Sequence, residues 1–256
     1  MSFSTPPRSL ASRLWFAWTM LVYVLFTPPY WVPWMLAMRL RPTARTFWRW
    51  FRGWDHVVFT LCGFRLRTVR EGASGAEVGP AVYVANHQAM LDIPALILAM
   101  DAPFVFVARG SLRRVPLVAG ILRQSRCVFL DRTASGTERA LDESAERLGA
   151  GESVLFFPEG TRSFDGRLKS FYPSAFRLAI RAGVPIVPVA LGGTHQLLDE
   201  KARTARPGLV HVRIGAPLHA LPDENAGSLS ARAHAEVERL LALAAPEAVP
   251  AEASGA

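Results

Sequence analysis

Between Arg13 and Arg39 the chain runs for 25 residues without a charge, from Leu14 to Met38, and this stretch limits every fold the rest can adopt. A continuous helix of that length would measure about 37 Å, enough to cross the hydrocarbon core of a bilayer. Pro28, Pro29 and Pro33 stand inside it. Each removes a backbone donor, so the first helical piece, Leu14 to Thr27, is expected to reach only about 21 Å, too short to span. All seven tryptophans fall between Trp15 and Trp54, and after Met38 they are interleaved with Arg39, Arg41, Arg45, Arg49 and Arg52. Tryptophan favours the headgroup level of a membrane, and arginine favours anionic lipid. The preferred reading is a membrane-embedded helical hairpin within residues 8–56, lying in one leaflet, with a single tilted transmembrane helix as the alternative. A buried core helix fits poorly with so many tryptophans and flanking arginines. A cleaved signal peptide is not expected either, because no small-x-small site follows the apolar run before the arginines.

Charge narrows the partners. The 29 Lys and Arg residues outnumber 21 Asp and Glu, a net +8 that favours an anionic partner. Half of the residues are hydrophobic, which is high for a nucleic-acid binder, so acidic or phosphorylated lipid leads and nucleic acid is not expected. A length of 256 residues suits one catalytic domain with a short appendage. The expected division is a membrane-associated helical segment over 1–56, an α/β domain over 57–245 and a disordered tail over 246–256, rich in Pro, Ala, Glu and Gly. Cys62 and Cys127 lie far apart in apolar stretches and read as core residues, with no zinc cluster or disulfide framework suggested.

Beyond residue 65 short β-rich runs alternate with helical stretches, the pattern of an α/β fold with a mixed, largely parallel sheet flanked by helices. Strands are expected at Ala81–Ala85, Phe104–Ala108, Cys127–Leu130, Val154–Phe157, Ile186–Ala190 and Val210–Ile214. Ser135 and Glu138 form a capping box that opens a helix closed by Gly149. Ser174 and Gly183 bracket a second helix. A third is expected after Ser228, with Leu229, Val237, Leu240 and Leu241 inward.

Three polar clusters follow three of these strands. In Asn86-His87-Gln88-Ala89-Met90-Leu91-Asp92 a histidine and an aspartate stand five apart, which on a helix would diverge by about 140°. Partnership of His87 with Asp92 therefore requires a turn. Asp92 before Ile93-Pro94 supplies one as an N-cap, so Asp92 could hold the Nδ1–H of His87 and leave Nε2 free to take a proton. A rival pair, His195 and Asp199, would share one helix face, where the plain reading is an exposed ion pair. Phe157-Pro158-Glu159-Gly160-Thr161-Arg162-Ser163 suits an anion: Gly160 permits close backbone approach, Thr161 and Ser163 offer hydroxyls, and Arg162 offers a fork matched to phosphate. Leu130-Asp131-Arg132 places another arginine past a strand. In α/β sheets ligands bind at the carboxyl ends of the strands, so the three clusters could converge.

Taken together, these blocks resemble the glycerolipid acyltransferases typified by 1-acyl-sn-glycerol-3-phosphate acyltransferase, over roughly residues 80–215. The first block is similar to the family's H-x4-D motif, which implies His87 and Asp92 as the catalytic dyad. Leu130-Asp131-Arg132 is similar to the second block, whose arginine contacts the acceptor's phosphate. The stretch from Phe157 to Ser163 is similar to the third, which implies that Glu159, Gly160, Thr161 and Arg162 bind the acceptor. Val184-Pro185-Ile186-Val187-Pro188-Val189 is similar to the fourth, which implies Pro188 on the acyl-donor side. The resemblance implies transfer of a fatty acyl chain from acyl-CoA or acyl carrier protein to the sn-2 hydroxyl of 1-acyl-glycerol-3-phosphate, with no metal or cofactor. It also implies membrane lipids as partners and a place at the cytoplasmic face of the inner membrane. Ala89, Arg126 and Tyr172-Pro173-Ser174 depart from residues common in the family, which leaves another lysolipid, such as lyso-ornithine lipid, as the alternative acceptor. A thioesterase-like hydrolase and a lipid-binding protein are the other classes. No Gly-x-Ser-x-Gly elbow is present for the former.

Overall fold

The computed structural model describes residues 9–40, 44–73, 75–115, 119–120, 122–123 and 125–244. Two long helices come first, α1 (Leu10–Leu40) and α2 (Ala44–Leu61), followed by β1 (Phe64–Arg70), α3 (Gly75–Val78), β2 (Val82–Ala85), α4 (Asp92–Ala99) and β3 (Phe104–Arg109). A 3-10 turn (Gly110–Arg114) leads toward β4 (Val128–Leu130), α5 (Ala134–Gly149), β5 (Ser153–Phe156), α6 (Ser174–Ala182) and β6 (Ile186–Gly192). The chain continues through α7 (Thr194–Leu197), a small ribbon of β7 (Leu198–Asp199) and β8 (Thr204–Ala205), then β9 (Gly208–Ile214) and α8 (Ala226–Leu243).

Seven strands form one sheet in the order β1-β9-β6-β2-β5-β3-β4. All pairings within it are parallel except β6 with β9, so the expected α/β sheet, mixed and largely parallel, is the one found. Side chains alternate faces along each strand, and the core divides accordingly. Tyr83, Ala85, Leu155, Val187 and Val189 point to the face covered by α1, α2 and α4. Val82, Val84, Val154 and Phe156 point to the other, under α5, α6 and α8. With both faces covered, the central strands are apolar throughout, which is why they were legible as short β-rich runs. Each large aliphatic side chain so buried contributes about 1.5–3 kcal/mol. The six expected strands all form, with ends shifted by at most a few residues; β1 and the ribbon were not anticipated.

Helix starts differ in detail. The cap of α5 is Thr133, whose hydroxyl accepts from Gly136 N, rather than Ser135. Asn225 caps α8 through Gly227 N and Ser228 N, while Gly183 closes α6 in the left-handed conformation as expected.

Two sequence readings of the N-terminus are corrected. The prolines do not break α1, which is helical throughout Leu10–Leu40. Its first half is tied to the end of α2, with Trp15 Nε1 donating to Cys62 O at 3.0 Å and Trp18 Nε1 to Leu61 O at 2.9 Å. Its second half meets the start of α2, where Trp34 and Phe51 lie edge to face at 5.6 Å. These contacts hold a helix that local propensity disfavours. The two helices thus run antiparallel, and the expected division at residue 56 falls inside α2. Among the described residues no helix is long and apolar enough to cross a membrane. The tail expected over 246–256 lies outside the described residues.

Candidate active site

The carboxyl ends of β2, β5, β3 and β4 lie side by side along one edge of the sheet. Asn86, buried, ends β2 by using its side chain as a backbone would: Nδ2 donates to Leu191 O at 2.9 Å and Oδ1 accepts from Leu191 N at 2.7 Å. That lock aims the next residue. His87 N donates to Glu159 Oε1 at 2.8 Å and His87 O accepts from Ser163 N at 2.8 Å, so the loop after β5 holds both backbone groups of the histidine.

The His87 ring lies over Phe157 with centroids 4.0 Å apart and planes 18° from parallel. Its Nδ1 is 2.7 Å from Asp92 Oδ2, with Asp92 fully buried and 17% of the histidine side chain in solvent. The same Oδ2 accepts from Gln88 N at 2.6 Å and Ala89 N at 2.9 Å. The turn expected between the two residues is therefore present, but Asp92 opens α4 and folds back over the preceding loop rather than capping its own helix. With Nδ1 committed to the aspartate, Nε2 is left to act on a substrate.

Glu159 is buried, and its two oxygens accept from His87 N and from Lys169 N (3.1 Å). Burial pushes its carboxyl up to about 7, with the two backbone donors pulling the other way. Gly160 adopts φ +65°, and a Cβ there would stand 3.0 Å from Tyr172 Cε2 and 3.1 Å from Arg132 Nη2. Its carbonyl accepts from Arg132 Nη2 at 3.0 Å and from Arg109 Nη2 at 2.9 Å. Both arginines are otherwise exposed, and they border a cavity of about 330 Å³ lined also by Gly110, Arg114 and Asp131. Thr161 Oγ1 accepts from Lys169 Nζ at 3.1 Å. Arg162, expected to face an anion, is instead ion-paired to Glu200. Pro188 lies inside β6 opposite Val84, buried in the sheet and away from the strand ends.

The rival pair dissolves. His195 is buried and its Nδ1 lies 3.0 Å from Gln88 Oε1. Desolvation lowers its pKa. Asp199 Oδ1 instead accepts from Lys201 N and Ala202 N. Cys62 and Cys127 are buried free thiols, pushed by burial up to about 11 and about 12, far from the low values of nucleophilic cysteines.

Residues 67–192, which include all of this edge, match the family model described as Acyltransferase. Residues 67–192 are an acyltransferase-family domain. It is 37% identical over 152 residues to a 1-acyl-sn-glycerol-3-phosphate acyltransferase of Chlamydomonas reinhardtii, covering 59% of this chain and 45% of that protein. It is 31% identical over 156 residues to the lyso-ornithine lipid O-acyltransferase of Pseudomonas aeruginosa, covering 54% and 59%. The solved structure of the 1-acyl-sn-glycerophosphate (LPA) acyltransferase from Thermotoga maritima superposes with a TM-score of 0.70 at 26% identity, covering 91% of this chain and 96% of that one. The chain spans about half the length of the curated relatives it matches.

Within this acyltransferase fold, sequence reasoning missed three contributors. Arg109 reaches Gly160 from the end of β3, Glu200 reaches Arg162 from the ribbon, and Gln88 accepts from Thr194 Oγ1 and contacts His195 behind the histidine. Each partner lies 38 or more residues away in sequence, so no local pattern announces it. A β3 strand ending in arginine beside one already suspected in Arg132 was the available signal for Arg109.

Proposed function

We propose that the protein transfers a fatty acyl chain from acyl-CoA or acyl carrier protein to the free sn-2 hydroxyl of 1-acyl-glycerol-3-phosphate, giving phosphatidic acid. The observation that carries this is the 2.7 Å contact from His87 Nδ1 to the fully buried Asp92. In the proposed step, His87 Nε2 takes the proton of the acceptor hydroxyl as that oxygen attacks the thioester carbonyl. The tetrahedral intermediate then expels the thiolate of the carrier, to which the imidazolium returns the proton. Asp92 orients the ring and stabilises the imidazolium, and its three donors keep that oxygen in place through the cycle. Glu159 fixes the histidine's backbone. Arg132 and Arg162, with the backbone around Gly160 and the Thr161 hydroxyl, meet the acceptor phosphate, and Arg109 joins Arg132 on the side of the 330 Å³ cavity. Pro188, inside the sheet, acts through the position of β2 rather than by touching the donor.

The protein is proposed to work on a lipid surface, at the cytoplasmic face of the inner membrane. Leu10, Leu14, Trp18, Leu21 and Leu25 recur at helical spacing along one face of α1, 43% to 74% exposed, and Leu36 and Leu40 continue the stripe. Apolar side chains in this arrangement, with flanking arginines, suit the boundary between headgroups and acyl chains. Met90 and Ile93, exposed on either side of Asp92 in sequence, bring apolar surface to the dyad itself.

The test is to incubate purified protein with labelled acyl-CoA or acyl carrier protein and a panel of lysolipids. Transfer to lysophosphatidic acid in preference to lyso-ornithine lipid supports the reading. Preference for the ornithine acceptor would replace the substrate, as the Pseudomonas relative allows, and thioester hydrolysis without transfer would replace the reaction class.

A further inference from the structure

We infer that Glu200 is a specificity-determining residue that occupies Arg162 in place of the acceptor's phosphate and yields it when the acceptor arrives. The inference rests on the reading of Arg162 as a contact for that phosphate.

Glu200 sits in the ribbon between β7 and β8, far in sequence from the dyad, yet its two oxygens reach two loops of the active edge. Oε1 accepts from Met90 N at 2.6 Å, inside the loop that joins His87 to Asp92. Oε2 pairs with Arg162 Nη1, one residue before the Ser163 N–H that holds His87 O. Both side chains keep contact with solvent, 30% for Arg162 and 19% for Glu200, so an incoming anion can reach the pair.

Further cations stand around the pair. Phe164 lies between two cations, with the Arg162 guanidinium 5.1 Å and Lys201 Nζ 4.1 Å from its ring centroid. Lys169 Nζ donates to Arg162 O at 2.8 Å. Arg162, Lys169 and Lys201 thus gather at the loop beside Glu200, and their positive charge suits a phosphate dianion. Phe164 is held at φ +42°, a left-handed conformation that a bulky residue keeps only where its surroundings impose it. The ring offers the guanidinium a face against which it can turn from one anion to another. When the phosphate takes Arg162, Glu200 retains Met90 N, and the loop carrying the dyad stays in register.

The experiment is steady-state kinetics of Glu200→Gln, alone and combined with Arg162→Ala, using lysophosphatidic acid and the phosphate-free acceptor 1-monoacylglycerol. Glutamine keeps an acceptor for Met90 N but presents neutral NH2 to the guanidinium. The acceptor KM for lysophosphatidic acid is expected to fall about twofold to fivefold, the scale of one partly exposed ion pair. The KM for monoacylglycerol should not fall, and in the Arg162→Ala background the substitution should lose its effect on lysophosphatidic acid. An unchanged or raised KM for lysophosphatidic acid, or the same fall without Arg162, overturns the exchange while leaving the acyl transfer intact. A wild-type protein that does not acylate lysophosphatidic acid overturns the acceptor reading and the exchange together. Glu200→Ala, which also strips the acceptor from Met90 N, should lower kcat as well as KM; loss of kcat in Glu200→Gln equal to that in Glu200→Ala would reduce Glu200 to a structural brace.

Discussion

The strand-end edge and the N-terminal hairpin settle their polar and apolar groups in opposite ways. At the edge, side chains are spent on backbone: Asn86 on Leu191, Glu159 on His87 and Lys169, Asp92 on Gln88 and Ala89, Arg109 and Arg132 on Gly160. The loops are fixed by the protein itself. In the hairpin, one face is fused to the core through Val22, Val58, Phe59 and Cys62, while the other leaves Leu14, Leu21, Val24 and Leu25 bare. The indole N–H groups of Trp48 and Trp54 are buried without a hydrogen-bond partner among the described residues, each a cost of about 1–3 kcal/mol. The edge has such atoms too, Asp92 Oδ1 and Ser163 Oγ, so the contrast lies in the apolar groups: the edge covers most of its own, while the hairpin leaves a stripe bare, as the proposed lipid contact requires.

That contrast breaks first at His87. His87→Ala should lower transfer by at least about 100-fold, the usual contribution of a general base, while the melting temperature barely moves, because the ring's neighbours are held by backbone bonds rather than by the imidazole. Near-normal turnover in the folded variant would move the chemistry elsewhere. Arg132→Ala should cost about 10-fold to 100-fold in kcat/KM for lysophosphatidic acid, with Arg132→Lys recovering part, since a lysine cannot serve the Gly160 carbonyl and a phosphate with one rigid fork. Equal losses with a phosphate-free acceptor would show that Arg132 only braces the loop. On the hairpin, replacing Leu14, Leu21 and Leu25 together by asparagine should lower sedimentation with anionic vesicles by about tenfold or more without lowering thermal stability, because these side chains bury little against the protein. Retained vesicle binding, or a large fall in stability, would mean that the stripe faces something other than lipid.

The last effect, on stability alone, concerns Glu159, an edge residue whose burial works against its charge. Glu159 titrates near 7 in the folded protein and near 4.5 when unfolded, so the folded state holds the proton more tightly across that interval. Stability from this group is complete below about 4.5 and declines as pH rises toward 7, by up to about 3 kcal/mol and so several degrees of melting temperature. Melting followed from pH 5 to pH 7.5 should fall more steeply in the wild type than in Glu159→Gln. Parallel curves would show that the carboxyl is ionised throughout.

The sheet was legible because its strands are buried on both faces and so lack the charges that would interrupt an apolar run. β1 was not, since Arg65, Arg67 and Arg70 make Phe64–Arg70 look like surface; only Phe64 is fully buried there. The dyad was legible because His87, Asp92 and the turn between them are local. Arg162 was correctly placed at a strand end but its partner was invisible, because a carboxylate 38 residues on is joined to it only by the fold. The prolines misled for the complementary reason: propensity is a local quantity, and α1 is held by contacts with α2 at both ends.

The pairing of β1 with β9, Phe64 opposite Gly208 through Arg70 opposite Ile214, bears on how the chain is made. Residues that seat the hairpin leave the ribosome well before the strand that closes the sheet beside β1 and the ribbon packed against α1. For most of translation the hairpin's inner apolar face has no finished sheet to cover it. Early capture of that nascent hairpin at a lipid interface would spare it from aggregation, and its outer stripe could remain there while the inner face is drawn onto the completed sheet.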